Sequence, residues 1–443
     1  MFAGTRAMRA DAEGGRIQDV DEGARELPVQ AHRLFRMSGR DPHEQHRVAS
    51  PLELLFDLTF VIAFGVAASQ LAHLIAEGHV AHGLTAFGFA TFAIWWAWMN
   101  FTWFASAYDT DDWVYRAMTM LQMVGVIILA LGLPATFASI DHGGHVDNAV
   151  MVAGYVVMRI ALVAQWLRAA AQDRQHRTAC LTYAAALVLA QLGWIAQIFV
   201  QTTPMEFFAT GAVLVAVEIC GPLVAERRMG GTPWHAHHIA ERYGLLAIIA
   251  LGEGVVGTAA SLTAAVGEQG WSTDAVLLAM AGTGLTFGLW WVYFLVPAAE
   301  LLHVHRRLSF RYGYLHIFVF GAIVATGAGL HLAAYHVEGH SHLDAVATVL
   351  AVAVPVAVFL VGMFVIYATL VGTVDRFYLV LLVVAAAPLV ASVGLAAAGI
   401  DMALCLLLVT AAPMIVVAGH EAGGHRRIGA KVAERIGGDQ RGG

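Results

Sequence analysis

Charged residues are scarce in this chain of 443 residues. They make up 13% of it, whereas a soluble domain carries about 25%. This shortage excludes an ordinary cytosolic enzyme, a disordered scaffold and a nucleic-acid-binding protein. Cysteine is also scarce, and the three that occur stand in apolar runs without the spacing of a metal or disulfide site. The sequence therefore predicts no cofactor, no metal site and no nucleic-acid partner.

Hydrophobic residues, in contrast, form 59% of the chain and fall in runs of about twenty or more. Such a run crosses the roughly 30 Å hydrocarbon core of a bilayer as a helix. We therefore predict an all-α polytopic membrane protein in contact with the lipid bilayer. The twelve predicted spans are 51–76, 82–105, 114–138, 147–168, 178–201, 205–224, 240–264, 273–297, 311–335, 345–370, 376–398 and 401–419.

The distribution of arginine and lysine predicts the orientation. If the N-terminus is cytoplasmic, an even number of spans makes the C-terminus cytoplasmic too, and none of the six external connections contains Lys or Arg. We expect a multi-pass protein of the bacterial plasma membrane. Outside the spans we expect a mobile polar tail at 1–48, a cytoplasmic linker at 225–239 and a basic cytoplasmic tail at 420–443.

The two halves of the chain resemble each other. Residues 53–72 align with residues 241–260 at an offset of 188, with Glu53 opposite Glu241. In both halves a Trp pair, at 95–96 and at 290–291, is followed by an arginine 21 residues after its first member. Because six spans return the chain to the same side, the predicted repeats, 49–224 and 240–419, run parallel to each other.

Four ionisable residues lie deep within predicted spans: Asp57, Arg159, Glu218 and Glu253. Each costs at least about 2.5–3.5 kcal/mol in the bilayer unless it finds a partner or water. Two interpretations stay open. Either Arg159 forms ion pairs with these acids and locks helices together, or the acids line a route for protons or cations with Arg159 as counter-charge.

Other polar residues are weaker candidates. Glu53, Glu241 and Arg311 fall near the cytoplasmic interface, as does Arg242, where headgroup anchoring or local pairing is expected. His316 lies on the ninth span. The GxGxxG pattern at 252–257 has no preceding strand, so it indicates close helix packing rather than dinucleotide binding.

Four ordered motifs resemble the bacterial low temperature requirement protein A family. Residues 50–61, SPLELLFDLTFV, are similar to its first-span ELFFDLVFV signature, and residues 241–253 to its ERFGL…LGES. The stretches 108–112 with 121–123, and 290–294 with 311–316, also agree. The resemblance spans about residues 47–420, although Gly254 stands where the family has Ser. It implies an integral membrane protein associated with growth in the cold.

Three functional hypotheses follow. The first is a channel or secondary transporter for a proton, a small cation or a small solute. The second is a non-transporting membrane protein that supports envelope function or growth in the cold by binding lipid or a partner. The third, an intramembrane enzyme acting on lipid through Glu53, Asp57, Glu241 and His238, is least favoured, so we expect no enzyme. The substrate, the coupling ion and the oligomeric state stay open.

Overall fold

The computed structural model describes residues 34–42, 44, 47–267 and 270–439, and within these ranges the regular structure is helical without strands. A 3₁₀ turn, Arg306–Leu308, precedes α10, and a π-helical turn, His420–Gly424, precedes α15. The helices are α1 (Pro51–Ala76), α2 (Val80–Tyr108), α3 (Trp113–His142), α4 (Ala149–Gln172), α5 (Arg177–Ile198), α6 (Pro204–Arg228), α7 (Ala236–Val266), α8 (Thr273–Tyr293), α9 (Ala298–Val304), α10 (Ser309–Val337), α11 (Ala345–Val371), α12 (Arg376–Ala397), α13 (Met402–Val409), α14 (Ala411–Gly419) and α15 (His425–Asp439).

Twelve stretches of the described chain are helical, long and apolar enough to cross a membrane. The eighth combines α8 and α9, and the last begins with α13 and continues into α15. Eleven of them match the predicted spans to within about seven residues at either end, whereas the last extends to Arg435, beyond the predicted end at 419. The twelve spans confirm the polytopic all-α fold class. The last predicted span is interrupted at Thr410, close to Pro413, because proline cannot donate the backbone hydrogen bond that continues a helix.

The helices of the two halves pack on one another in a similar order. In the first half α1 packs on α2 and α3, and the chain then continues pairwise from α3 to α6. In the second half α7 packs on α8 and α10, and α10, α11, α12 and α14 follow in the same way. The halves meet where α1 and α2 contact α7 and α10. The duplication itself, with boundaries at 49–224 and 240–419, stays a prediction.

Glycines allow α7 and α10 to approach each other closely. A Cβ atom added at Gly257 of α7 would lie 2.5 Å from the carbonyl oxygen of Gly327 of α10. A Cβ atom at Gly327 would lie 2.7 Å from the backbone of Glu253. Gly254 similarly faces Thr286 of α8 at 2.6 Å, whereas Gly252 faces open space. Small residues therefore pack α7 closely, as the 252–257 pattern predicts.

The segment before α1 is held against the end of the bundle where α1 begins, here called the N-terminal face. The backbone N–H of Met37 donates to the side chain of Gln172 at 2.6 Å, and Met37 itself is fully buried. Arg47 lies 3.4 Å from Asp109. This part of the predicted mobile tail at 1–48 is therefore ordered, because its arginines and backbone find partners there; residues 1–33 lie outside the described ranges.

The C-terminal tail also contacts the N-terminal face. Lys431 of α15 lies 3.0 Å from Asp375, the N-cap residue of α12, and Arg427 lies 5.1 Å above the ring of Phe377. The predicted basic tail at 420–443 is thus largely a docked helix in its described part.

Candidate functional site

The first polar site lies between α1 and α7 near the N-terminal face, and the start of α1 positions it. Ser50 caps the helix, and Glu53 Oε2 accepts a hydrogen bond from the Ser50 N–H at 2.7 Å, completing a capping box. The other carboxylate oxygen of Glu53 accepts from Arg242 Nη1 at 2.9 Å. The cap therefore orients a carboxylate towards a guanidinium on the other half of the chain.

Asp57 lies one turn further along the same face of α1. It accepts hydrogen bonds from Arg242 Nε at 3.1 Å and Nη2 at 2.5 Å, a bidentate arrangement. The indole N–H of Trp98 in α2 donates to it at 2.7 Å. Glu53, Asp57 and Arg242 are all fully buried. We call these three residues and His238 the α1–α7 ion cluster.

His238 completes the cluster one turn before Arg242. Its Nε2 lies 3.0 Å from Glu53, although the ring is not aligned for a hydrogen bond, and its buried Nδ1 has no hydrogen-bond partner in the described chain. The cluster contains two carboxylates and one guanidinium, so Glu53 and Asp57 share a single fixed cation. It therefore links α1 of the first half to α7 of the second half.

A second, separate pair joins α4 to α6. Arg159 donates to Glu218 at 2.7 Å, and Trp96 also donates to this carboxylate. Both charged residues are buried. In the described chain Arg159 forms no ion pair with Asp57 or Glu253, so the four residues do not form one ion-paired cluster. Asp57 pairs with Arg242 instead, because α7 rather than α4 packs against its face of α1.

Glu253 stands apart from both pairs. It lies on α7 near the middle of the span, and only 2% of its surface is exposed. No described residue forms a hydrogen bond or an ion pair with its carboxylate. A Cβ atom added at Gly65 of α1 would lie 3.2 Å from Glu253 Oε1, so the absent side chain of Gly65 leaves room for the carboxylate.

A cavity of 780 Å³ opens at the N-terminal face beside the other side of α7. Glu241 reaches it and accepts a hydrogen bond from the N–H of Ala49 at 3.1 Å. His316 also lines it, fully buried, with its Nδ1 2.7 Å from the carbonyl oxygen of Tyr312. Burial lowers the pKa of His235 at the rim, and the neighbouring His237 ring lowers it further. The cavity thus gathers polar side chains next to the ion cluster.

The remaining candidate, Arg311, is exposed at the N-terminal face and does not join the site. Sequence reasoning grouped His238 with Glu53 and Asp57 only in the least favoured hypothesis. It placed Arg242 at the interface and did not identify it as the buried partner of both acids. A signal was present, since Glu53 and Asp57 are four residues apart and so are His238 and Arg242. Residues four apart share a helix face, so two such pairs on aligned segments are able to face each other.

Comparisons with known proteins agree with the family motifs in the sequence. The family model described as bacterial low temperature requirement A protein (LtrA) matches residues 48–413. An uncharacterized protein of Rhizobium meliloti (strain 1021), RA0937, is 25% identical over 307 residues, which cover 65% of this chain and 69% of that protein. No solved structure matches. Since the family match covers most of the chain and includes both segments of the ion cluster, the chain belongs to the bacterial low temperature requirement A family.

Proposed function

We propose that this protein is a channel or secondary transporter that moves protons or a small cation across the membrane, and that Glu253 is the group that exchanges them. The observation that carries the proposal is a buried carboxylate, near the middle of a membrane span, that has no partner among the described residues. The proposed activity is transport and includes no enzymatic step.

The energetics of an isolated carboxylate support this role. An ionised group in apolar surroundings is costly unless it is paired, so it is neutralised by a proton or by a cation. Asp57 and Glu218 each form a fixed ion pair with a guanidinium. Glu253 has none, so a mobile positive charge is the remaining means of neutralising it. Such a charge binds and leaves without breaking an ion pair of the fold.

The position of Glu253 also supports the proposal. It faces Gly65 of α1 and packs its backbone on Gly327 of α10, so it lies where the halves of the chain meet. Junctions between repeated halves are common positions for substrate sites in transporters. Gly244 lines the N-terminal cavity, and the nine residues of α7 from there to Glu253 span about 14 Å. This cavity is the proposed access from the N-terminal face.

We further propose that the N-terminal face is cytoplasmic and that the protein resides in the cell membrane. In the described chain the connections on the opposite face carry no Lys or Arg, whereas those on the N-terminal face carry several.

The test is flux into proteoliposomes that contain the purified full chain. With an imposed membrane potential, wild type should acidify the lumen or take up Na⁺ or K⁺, and Glu253→Gln should abolish at least nine-tenths of that flux. Glu421→Gln, which neutralises an exposed carboxylate in the turn before α15, is the matched control and should retain flux. Equal flux in wild type and Glu253→Gln, or none above empty liposomes for any of the three ions, would overturn the proposal.

A second candidate function is a non-transporting membrane protein that supports growth in the cold. The observation that favours it is that Asp57, Arg159 and Glu218 all form buried ion pairs, as structural locks between helices do. In that case Glu253→Gln would change the abundance of the protein but leave no defect in a transport assay once abundance is matched.

A further inference from the structure

A group of histidines and carboxylates lies on the face opposite the N-terminal face, where α1 ends, α2 begins and α3 ends. Ligand atoms of Glu77, His79 and Asp141 all lie within 4.8 Å of one another. His82, in the first turn of α2, places its Nδ1 3.1 Å from Asp141 as well. Three separate helix ends therefore bring four possible metal ligands together.

The distances are close to those of a zinc site. Ligand atoms about 2.0–2.1 Å from Zn²⁺ in a tetrahedron lie roughly 3.3 Å apart. The Nδ1 atom of His79 lies 2.9 Å from Asp141, so both histidines are near that separation from this carboxylate. Two imidazoles with carboxylates are ligands typical of Zn²⁺, whereas Ca²⁺ and Mg²⁺ prefer sites made of oxygen alone.

The surroundings of these four side chains favour a bound cation and leave the site accessible from solution. In the described part of this face the connections contain no Lys or Arg that could neutralise the carboxylates instead. The side chains of His79 and His82 are 50% and 54% exposed, so an ion reaches them from solution. His73 lies 3.4 Å from Glu77 and is placed to orient that carboxylate from the outside.

We propose that Glu77, His79, His82 and Asp141 bind a divalent transition metal ion of the zinc class. The ion ties the α1–α2 turn to the end of α3 on the face opposite the N-terminal cavity. The site is independent of Glu253.

The test is titration calorimetry with ZnCl₂ on the full chain in detergent, purified without a polyhistidine tag. Wild type should bind one ion per chain at this site, and the double variant His79→Ala/His82→Ala should lose that ion or bind it at least about tenfold more weakly. The matched control is His340→Ala/His342→Ala, which removes two exposed histidines from the same face and should leave this ion bound.

A second variant distinguishes loss of the metal ion from misfolding of the protein. Asp141→Asn keeps the side-chain size, and its melting temperature without metal is compared with that of wild type. The expected result is an unchanged melting temperature without metal and loss of the increase that Zn²⁺ produces in wild type. The proposal is overturned if wild type takes up no saturating ion, or if both His79→Ala/His82→Ala and Asp141→Asn bind Zn²⁺ as wild type does.

Discussion

The interface between α1 and α7 carries ionisable side chains at two levels, and their environments differ. Near the N-terminal face, Glu53 and Asp57 are both bound to Arg242, and every carboxylate has a cationic partner. About three turns further along α7, Glu253 faces Gly65 and no cation. Both levels are buried, so burial alone does not distinguish them.

The two levels differ in the charge that remains buried when one residue is replaced. Removing one member of a buried ion pair leaves an uncompensated charge, which costs about 3–5 kcal/mol. Replacing Glu253 by Gln leaves no charge behind, because no fixed partner exists. The first level is therefore expected to determine stability, and the second to determine function. The predictions below separate the two.

The largest effect is expected from Arg242→Met. This variant leaves Glu53 and Asp57 buried without a cation and should lower stability by about 3–5 kcal/mol. In thermal melts of detergent-solubilised protein it should melt well below wild type or fail to accumulate. Arg311→Met, which removes an exposed arginine, is the control and should melt like wild type.

A rescue experiment tests whether the unpaired carboxylates cause the loss of stability in Arg242→Met. The triple variant Glu53→Gln/Asp57→Asn/Arg242→Met removes all fixed charges together, so it should recover most of the lost melting temperature. If Arg242→Met alone melts like wild type, the cluster does not hold the two halves together.

The number of spans and most of their bounds were predictable because hydropathy depends on composition along the chain. The pairing of the charges was not, because it depends on how each helix is rotated in the bundle. Arg159 was expected to pair with Asp57, Glu218 or Glu253. It pairs with Glu218, whereas Asp57 pairs with Arg242. The sequence predicts the depth of a charged residue in the membrane, but it does not predict which helix packs against that residue.

The Trp pairs illustrate the same limit. They have equal spacing to a following arginine, yet Trp95 and Trp96 are 2% and 1% exposed, whereas Trp290 and Trp291 are 46% and 42% exposed. The α2 helix packs inside the bundle and α8 presents this pair outwards. A spacing match between the halves therefore does not establish that the matched residues have the same surroundings.

A smaller effect is expected from Trp98→Phe. It removes the N–H that donates to Asp57 but keeps an aromatic ring, and a hydrogen bond to a charged group is worth about 1.5–3 kcal/mol. Trp290→Phe, at an exposed position, should change stability by less than about 0.5 kcal/mol. Chemical unfolding of the two variants measures the difference. Equal values would mean that the indole N–H contributes nothing to the ion cluster.

The smallest effect is expected at Gly65. Replacing a helical glycine by alanine normally stabilises a helix by about 0.8–1 kcal/mol, and Gly88→Ala in α2, where a Cβ meets nothing within 4 Å, should give this gain. In Gly65→Ala the new Cβ lies 3.2 Å from Glu253 Oε1, so the carboxylate has to move and the gain should shrink.

A double-mutant cycle assigns that loss to Glu253. In a Glu253→Ala background the carboxylate is absent, so Gly65→Ala should give the same gain as Gly88→Ala, a coupling of about 0.5–1 kcal/mol between positions 65 and 253. Since the two positions are 188 residues apart and align between the halves, the coupling also reports contact across their junction. If Gly65→Ala gives the full gain in both backgrounds, the carboxylate does not occupy the space beside Gly65, and the second level of the α1–α7 interface is no longer a defined site.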